Sequence, residues 1–263
     1  MNSPSIRIPA KIAAEIGIKI VSGQLLPSAI LETEVEASSG RNVSRSAYRE
    51  AVRILIAKGL VQSRPKIGTR VAEKRQWQLL DPDVLGWMFS EEPRRDLLAN
   101  LFELRKMVEP EAAALAATRC RPAELTAMAE ALKIMTRETL HTDRGRLADH
   151  DFHATLLSAS GNPFLISLST SVAAAVTWST TFKHRTHRLM RDPVPDHVRV
   201  YKAIAAEDGN AARKAMTQLI ELAFLDATQA RRKPFSARSD QKRRPIRRHH
   251  RDQRGGSKEN NSN

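Results

Sequence analysis

The chain has 263 residues, of which 41% are hydrophobic, and a formal net charge of +14. Its length suits two modest domains, and its single cysteine excludes an internal disulfide. We find neither an uninterrupted apolar run of roughly 18 to 20 residues nor an export signal at the N-terminus, so we expect a cytoplasmic protein that does not contact a membrane.

Residues 6–74 have the sequence features of a winged helix-turn-helix. Short helices separated by polar breaks lead into a segment in which Gly59 can end a helix. Residues 60–63 and 69–71 favour β-strands, and the turn-forming residues 64–68 lie between them. Three helices followed by a two-stranded hairpin are the winged helix-turn-helix arrangement, so we predict that fold here.

One predicted helix, over residues 43–55, has the features of a helix that enters the major groove of DNA. Ser44 can cap its N-terminus, and Ser46 is small enough for a close approach. Arg45 and Arg49 lie one helical turn apart on the same face, where they could contact bases or phosphates. A surface helix with solvated arginines fits the same spacing, so the spacing alone leaves both interpretations open.

The remainder of the chain is predicted to be helical. Residues 75–94 form a linker, in which Asp81-Pro82 interrupts the chain before a short amphipathic helix. Residues 95–230 form a bundle of six or seven helices, because apolar residues recur at three- and four-residue steps between breaks. After the first long helix, we predict helices over residues 124–139, 146–160, 163–188, 194–207 and 211–228.

The last segment, residues 231–263, is a basic tail. It contains twelve Lys/Arg and three Asp/Glu, so it carries +9 of the net charge and leaves 14 − 9 = +5 for the rest. Because it has almost no apolar residues, we expect it to be disordered. It could add non-specific affinity for DNA or remain solvated without a partner, and the sequence leaves both possibilities open.

The N-terminal third resembles the winged helix of the GntR family of bacterial regulators. The resemblance rests on Ser44-Arg45, Arg49-Glu50-Ala51, Lys58-Gly59-Leu60-Val61 and Gly68-Thr69-Arg70-Val71. It implies that Arg45 and Arg49 are the main contacts to operator DNA, with Ser44 and Ser46 beside them and Gly68 in the wing tip. The sequence also departs from the family: Val35 replaces a DNA-contacting arginine, Lys66 replaces a glycine of the wing, and Ala37, Ser38 and Arg41 replace the usual apolar residues of the second helix.

The helical region resembles the ligand-binding FCD domain of the FadR subfamily. The matching segments are Glu103-Leu104-Arg105, residues 109–113, residues 149–153, Ser160-Gly161-Asn162-Pro163 and Asp196-His197. Residues 76–87 are similar to the linker of galactonate operon repressors, which implies a sugar acid such as galactonate as the effector. Asn162 is a candidate effector contact within these segments.

Two side chains suggest a carboxylate site independently of the resemblance. Arg105 interrupts an apolar helix face and needs an anionic partner, which could be an effector, Glu103 or Glu109. Trp178, with hydroxyl-bearing neighbours, could line the wall of an effector pocket or could simply pack in the core.

A divalent metal, zinc or manganese, is a further possibility. Asp149 and His153 are four residues apart on one helix, so their side chains share a face. The resemblance adds His197 as a ligand and places another histidine at position 219, where this chain has Leu219. Either the site has decayed into a polar pocket, or three ligands remain and an α-hydroxy-carboxylate effector fills the open positions. The sequence favours the second interpretation.

The sequence therefore predicts a homodimeric transcription repressor of a sugar-acid operon, released by its effector, rather than an enzyme. A regulator that responds to a different organic acid and a non-specific architectural DNA-binding protein are alternatives. A metal-dependent hydrolase is disfavoured, because the chain has no HExxH motif, nucleophile elbow or phosphate-binding glycine loop.

Overall fold

The structure is a computed structural model that describes residues 8–41, 43–65, 67–90, 95–185 and 191–229. These residues belong to one compact unit. The predicted disordered tail and Lys66 lie outside the described residues. Within them the chain forms ten α-helices and one antiparallel hairpin, which confirms the predicted fold class. The elements are α1 (Ile8–Val21), α2 (Glu34–Arg41), α3 (Arg45–Ala57), β1 (Val61–Arg64), β2 (Gly68–Val71), α4 (Pro82–Met88), α5 (Arg95–Arg119), α6 (Pro122–Glu138), α7 (Asp143–Ala159), α8 (Pro163–Arg185), α9 (Val194–Ala205) and α10 (Gly209–Gln229).

Helices α1 to α3 and the hairpin surround one apolar core. Ile16, Ile20 and Leu55 are buried in it, together with Val61 and Val71, which pair across the two strands. The hairpin closes where Arg64 pairs with Gly68, whose φ of 94° is a backbone conformation that favours glycine. The predicted strands are therefore present, with boundaries that differ by one residue.

Helices α5 to α10 form a second core, and they are the six helices described in the predicted bundle. Small residues on α5, such as Ala112 and Ala116, are fully buried and allow neighbouring helices to approach closely. Helix α10 packs along α5, while α6, α7 and α8 pack in sequence order. This arrangement places residues of α5, α7, α8, α9 and α10 around a common interior cavity.

Helix α8 departs from the expectation that no segment is apolar enough to cross a membrane. Its residues Pro163–Thr181 reach that threshold by length and composition, with a mean hydropathy of 1.2. Serine and threonine residues interrupt the run, which is why it does not stand out as a continuous apolar segment. Because α8 packs against α4, α5, α7 and α10, we interpret it as a core helix of the bundle.

Helix α4 lies within the predicted linker and is packed on both sides. The Asp81 side chain caps it by accepting hydrogen bonds from the backbone N–H groups of Asp83 (3.0 Å) and Val84 (3.1 Å). Val84 is buried in the N-terminal core, whereas Leu85 and Phe89 are buried in the core of the bundle. The α4 segment is therefore shared by both cores.

Candidate DNA-binding surface and effector cavity

The exposed face of α3 presents the predicted DNA-contacting residues. Ser44 accepts a hydrogen bond from the Ala47 backbone N–H (3.2 Å) and so begins the helix, and Ser44, Arg45, Ser46 and Arg49 are all exposed. Gly68 lines the same groove as Arg49, between α3 and the hairpin. This groove has a volume of about 320 Å³. The fold thus brings together two positions that are 19 residues apart in the sequence.

Arg49 has a partner that the sequence reasoning missed. Its Nε and Nη2 atoms donate hydrogen bonds to Oε1 (2.8 Å) and Oε2 (2.6 Å) of Glu34, the first residue of α2. Glu34 and Arg49 are 15 residues apart in the sequence, and no helical spacing rule predicts a contact at that separation.

A second candidate site is a buried polar cavity inside the helical bundle. The predicted metal ligands Asp149, His153 and His197 line it together with Arg105, and all four are buried. The cavity measures about 20 Å³, which is space for one water molecule or ion. The described conformation does not have room for a sugar acid.

Hydrogen bonds on the outer sides of the two imidazoles determine which nitrogen carries the proton. The Nδ1 atom of His197 lies 2.9 Å from the Pro193 carbonyl oxygen, which can only accept, so this Nδ1 donates. The Nδ1 atom of His153 contacts the Glu109 carboxylate in the same way. When each ring carries a single proton, both Nε2 atoms direct lone pairs into the cavity.

The three potential ligand atoms are grouped at distances suitable for one cation. The two Nε2 atoms are 3.3 Å apart, and Oδ1 of Asp149 lies 3.0 Å from Nε2 of His197 and 3.8 Å from Nε2 of His153. Ligands of a tetrahedral zinc ion with bonds of 2.0 to 2.2 Å are separated by about 3.4 Å. The other Asp149 oxygen accepts a hydrogen bond from Thr180 (3.1 Å), which fixes the carboxylate.

Of the partners considered for Arg105, the structure pairs it with Glu109. Its Nε donates to Oε1 of Glu109 (2.6 Å), and its Nη1 donates to Ser179 (3.4 Å). Burial alone would raise the pKa of Glu109, but the positive charge of Arg105 and the contacts with His153 override that effect and lower it to about 2. Glu109 is thus ionised and joins the guanidinium to the His153 ring.

Leu219 lies where the resemblance implies another histidine. It is buried and lines the cavity beside the three potential ligands. A leucine offers no donor atom, so within the described residues the cavity contains one carboxylate and two imidazoles as a ligand set.

Two predicted effector contacts lie elsewhere, since neither Asn162 nor Trp178 is among the described residues that line the cavity. The Asn162 side chain accepts a hydrogen bond from the Phe164 backbone N–H (3.0 Å) at the start of α8. Thr180 is 18 residues further along α8, about 27 Å at 1.5 Å per residue. Trp178 is half-buried and packs against Gly86 of α4, which is the packing alternative considered for it.

Helix α4 connects this cavity wall to the DNA-binding region through close contacts. A Cβ atom on Gly86 would lie 2.8 Å from Cζ2 of Trp178. On the other side, the Trp87 ring packs against Gly17 of α1. Lys58, directly after α3, donates to Asp81 (2.7 Å) and pairs with Asp83 (2.8 Å) at the start of α4.

Comparisons with known proteins agree with both parts of this structure. Residues 9–71 match the family described as bacterial regulatory proteins, gntR family, and residues 100–222 match the FCD domain. The chain is 33% identical over 220 residues to the uncharacterised HTH-type transcriptional regulator YieP of Escherichia coli, covering 80% of this chain and 90% of that protein. The chain belongs to the GntR family.

One further relative supports this assignment, and one solved structure shares the fold. The galactonate operon transcriptional repressor of Escherichia coli is 30% identical over 213 residues, covering 80% of this chain and 92% of that protein. The structure of Lar, which controls the expression of the Listeria monocytogenes agr system, shares the fold at 19% identity with a TM-score of 0.59, covering 87% of this chain and 99% of that one. This GntR protein is a transcriptional regulator with an FCD effector-binding domain, and not an enzyme.

Proposed function

We propose that this regulator represses transcription as a homodimer bound to an operator, and that a small hydroxy-carboxylate bound with a divalent metal in the FCD domain releases it. The domains are residues 6–74 for DNA binding, 75–94 as the connection and 95–230 for the effector. The similarity to a galactonate operon repressor supports a sugar acid as the effector. The protein would act in the cytoplasm, at its operator.

The observation that carries the metal proposal is the arrangement of lone pairs in the cavity. Two imidazole Nε2 atoms and one carboxylate oxygen converge within 3.8 Å, while both Nδ1 protons point outward. Three electron-rich atoms at this distance repel one another unless a proton or a metal cation lies between them. A zinc or manganese ion held by Asp149, His153 and His197 supplies that cation.

The charges of the cavity then favour an anionic effector. The charges of Arg105 and Glu109 cancel each other, Asp149 contributes a formal charge of −1, and the two histidines contribute nothing when they bind a metal through Nε2. A divalent cation brings the total to +1, which the carboxylate of the effector neutralises. Its α-hydroxyl group would occupy a second open metal position, and unused donors of Arg105 would contact the carboxylate. The cavity has to widen for this, because its volume is about 20 Å³.

On the DNA side, the proposal assigns base and phosphate contacts to Ser44, Arg45, Ser46 and Arg49, and a wing contact to Gly68. All five lie on the exposed surface around α3 and the hairpin. A dimer is required because a single helix of this length reads only a few base pairs, so specificity comes from two half-sites.

Calorimetry with chelator-treated protein tests the metal and the effector together. We expect a panel of aldonates to bind only after zinc or manganese is added, and the variants His153→Ala and His197→Ala to lose this binding. The matched control is His150→Ala, because His150 lies on α7 but is partly exposed and pairs with Asp151. Full-strength aldonate binding without metal would exclude the metal proposal and leave a carboxylate pocket.

A gel-shift titration with competitor DNA tests the regulatory part. We expect binding to a specific site near regulated genes that an aldonate reverses. Salt-sensitive binding to every duplex without a preferred site would instead support the architectural alternative.

A further inference from the structure

The pair formed by Arg49 and Glu34 is a two-point contact between exposed side chains. Both carboxylate oxygens accept hydrogen bonds from one guanidinium, at 2.8 and 2.6 Å, although the side chains are 58% and 37% exposed. The contact connects the first residue of α2 to the exposed face of α3. Such a two-point geometry restricts the plane of the guanidinium as well as its position.

The backbone around Glu34 is itself held in place. The Tyr48 hydroxyl donates to the Glu32 carbonyl (2.9 Å), which ties the segment before α2 to α3. The Thr33 backbone N–H donates to the Glu36 carboxylate (2.7 Å) at the start of α2. Glu34 is therefore presented to Arg49 by a fixed helix terminus. Its hydrogen bond with Arg49 lowers the pKa of Glu34, so the carboxylate is ionised at neutral pH.

The contact with Glu34 leaves three N–H donors of the Arg49 guanidinium available for other partners. A guanidinium has five N–H donors, and Glu34 uses one on Nε and one on Nη2. The donors left on Nη1 and Nη2 form the outer edge of the plane. That fork matches the O6 and N7 acceptors on the major-groove edge of guanine.

We propose that Glu34 is a positioning residue that holds Arg49 as a preformed fork for one guanine in each operator half-site. This inference rests on the proposed function of α3 as the DNA-reading helix. Without Glu34, Arg49 would still be a cation near DNA, but it would reach phosphates and bases in many orientations. The carboxylate thus lowers the total positive charge of the surface and increases its selectivity.

Selection from a randomised duplex pool, followed by affinity measurements on the full-length protein, tests this assignment. The wild type should enrich a palindromic motif that contains an invariant guanine in each half-site. In Glu34→Gln and in Arg49→Lys, the preference for that guanine over the other bases should fall about tenfold. Preferences at the other positions of the motif should remain.

The control variant is Glu50→Gln. Glu50 is also exposed on α3 and pairs with an arginine, Arg53 (3.3 Å), so its substitution removes the same charge. It should increase affinity for all duplexes slightly and leave the guanine preference intact. Equal behaviour of the two glutamate variants, or tighter operator binding by Glu34→Gln with unchanged preference, would overturn the assignment and make Glu34 a displaceable counter-ion. Failure of the wild type to enrich any motif would instead refute the proposed function itself.

Discussion

Replacing Glu109 by glutamine should destabilise the helical bundle by about 3 kcal/mol. The folded protein lowers the pKa of this carboxyl from 4.5 to about 2, which at 1.36 kcal/mol per pKa unit corresponds to about 3 kcal/mol of stabilisation at neutral pH. Removing one member of a buried ion pair costs about 3 to 5 kcal/mol, because the other charge remains without compensation. Arg105, which is 2% exposed, would be that charge.

Urea denaturation followed by helical circular dichroism measures this effect against a matched control. Glu111→Gln removes a carboxylate two residues later on α5, where Glu111 pairs with Arg213 but is 56% exposed. The control should cost less than about 1 kcal/mol. Because the pKa of Glu109 is lowered in the folded state, its contribution is complete above pH 4.5 and disappears as the pH falls towards 2. Equal losses in the two variants, or a Glu109 effect that persists at pH 2, would refute the reasoning.

Two further substitutions test the cavity and α4. Leu219→His should add a fourth ligand to the proposed metal site, because Leu219 lines the cavity. We expect zinc affinity in a chelator competition to rise by at least about tenfold, since changes to outer-shell residues alone alter metal affinity by about 10- to 100-fold. Unchanged zinc affinity would place the metal elsewhere. Gly86→Ala should lower the free energy of unfolding by about 1 to 3 kcal/mol, because the new methyl group would clash with the Trp178 ring. Gly40→Ala, at a helical glycine with no neighbour within 4 Å of a Cβ atom, is the control and should not destabilise.

The elements that follow from local rules could be predicted from the sequence. Ser44 caps α3, Gly59 with a positive φ follows the end of that helix, and the breaks around Pro122 and Gly161 separate helices as expected. Helix α7 begins three residues earlier than predicted because Thr142 caps it through the backbone N–H of Gly145. Capping and turn residues act within a few positions, so a single sequence contains their signal.

The contacts that define the sites depend on distant pairs. Glu109 was recognised as one possible partner of Arg105, but its contact with His153 spans 44 residues and has no local pattern. The same holds for Glu34 with Arg49 and for Lys58 with Asp81, separated by 15 and 23 residues. Only the packing of the helices selects which of the available carboxylates faces each cation.

Helix α4 links the cavity inside the bundle to α3, the helix proposed to contact DNA. Ser179 and Thr180 bond to Arg105 and Asp149 of the cavity, and the adjacent Trp178 packs against Gly86 with no space between them. If an effector enters the cavity as proposed and this wall moves, we expect α4 to shift with it, because close-packed side chains transmit a shift rather than absorb it. The first turn of α4 is bound to Lys58 at the end of α3 by two carboxylates, Asp81 and Asp83. The cavity and the helix that bears Arg49 are thus joined by one continuous series of contacts through α4.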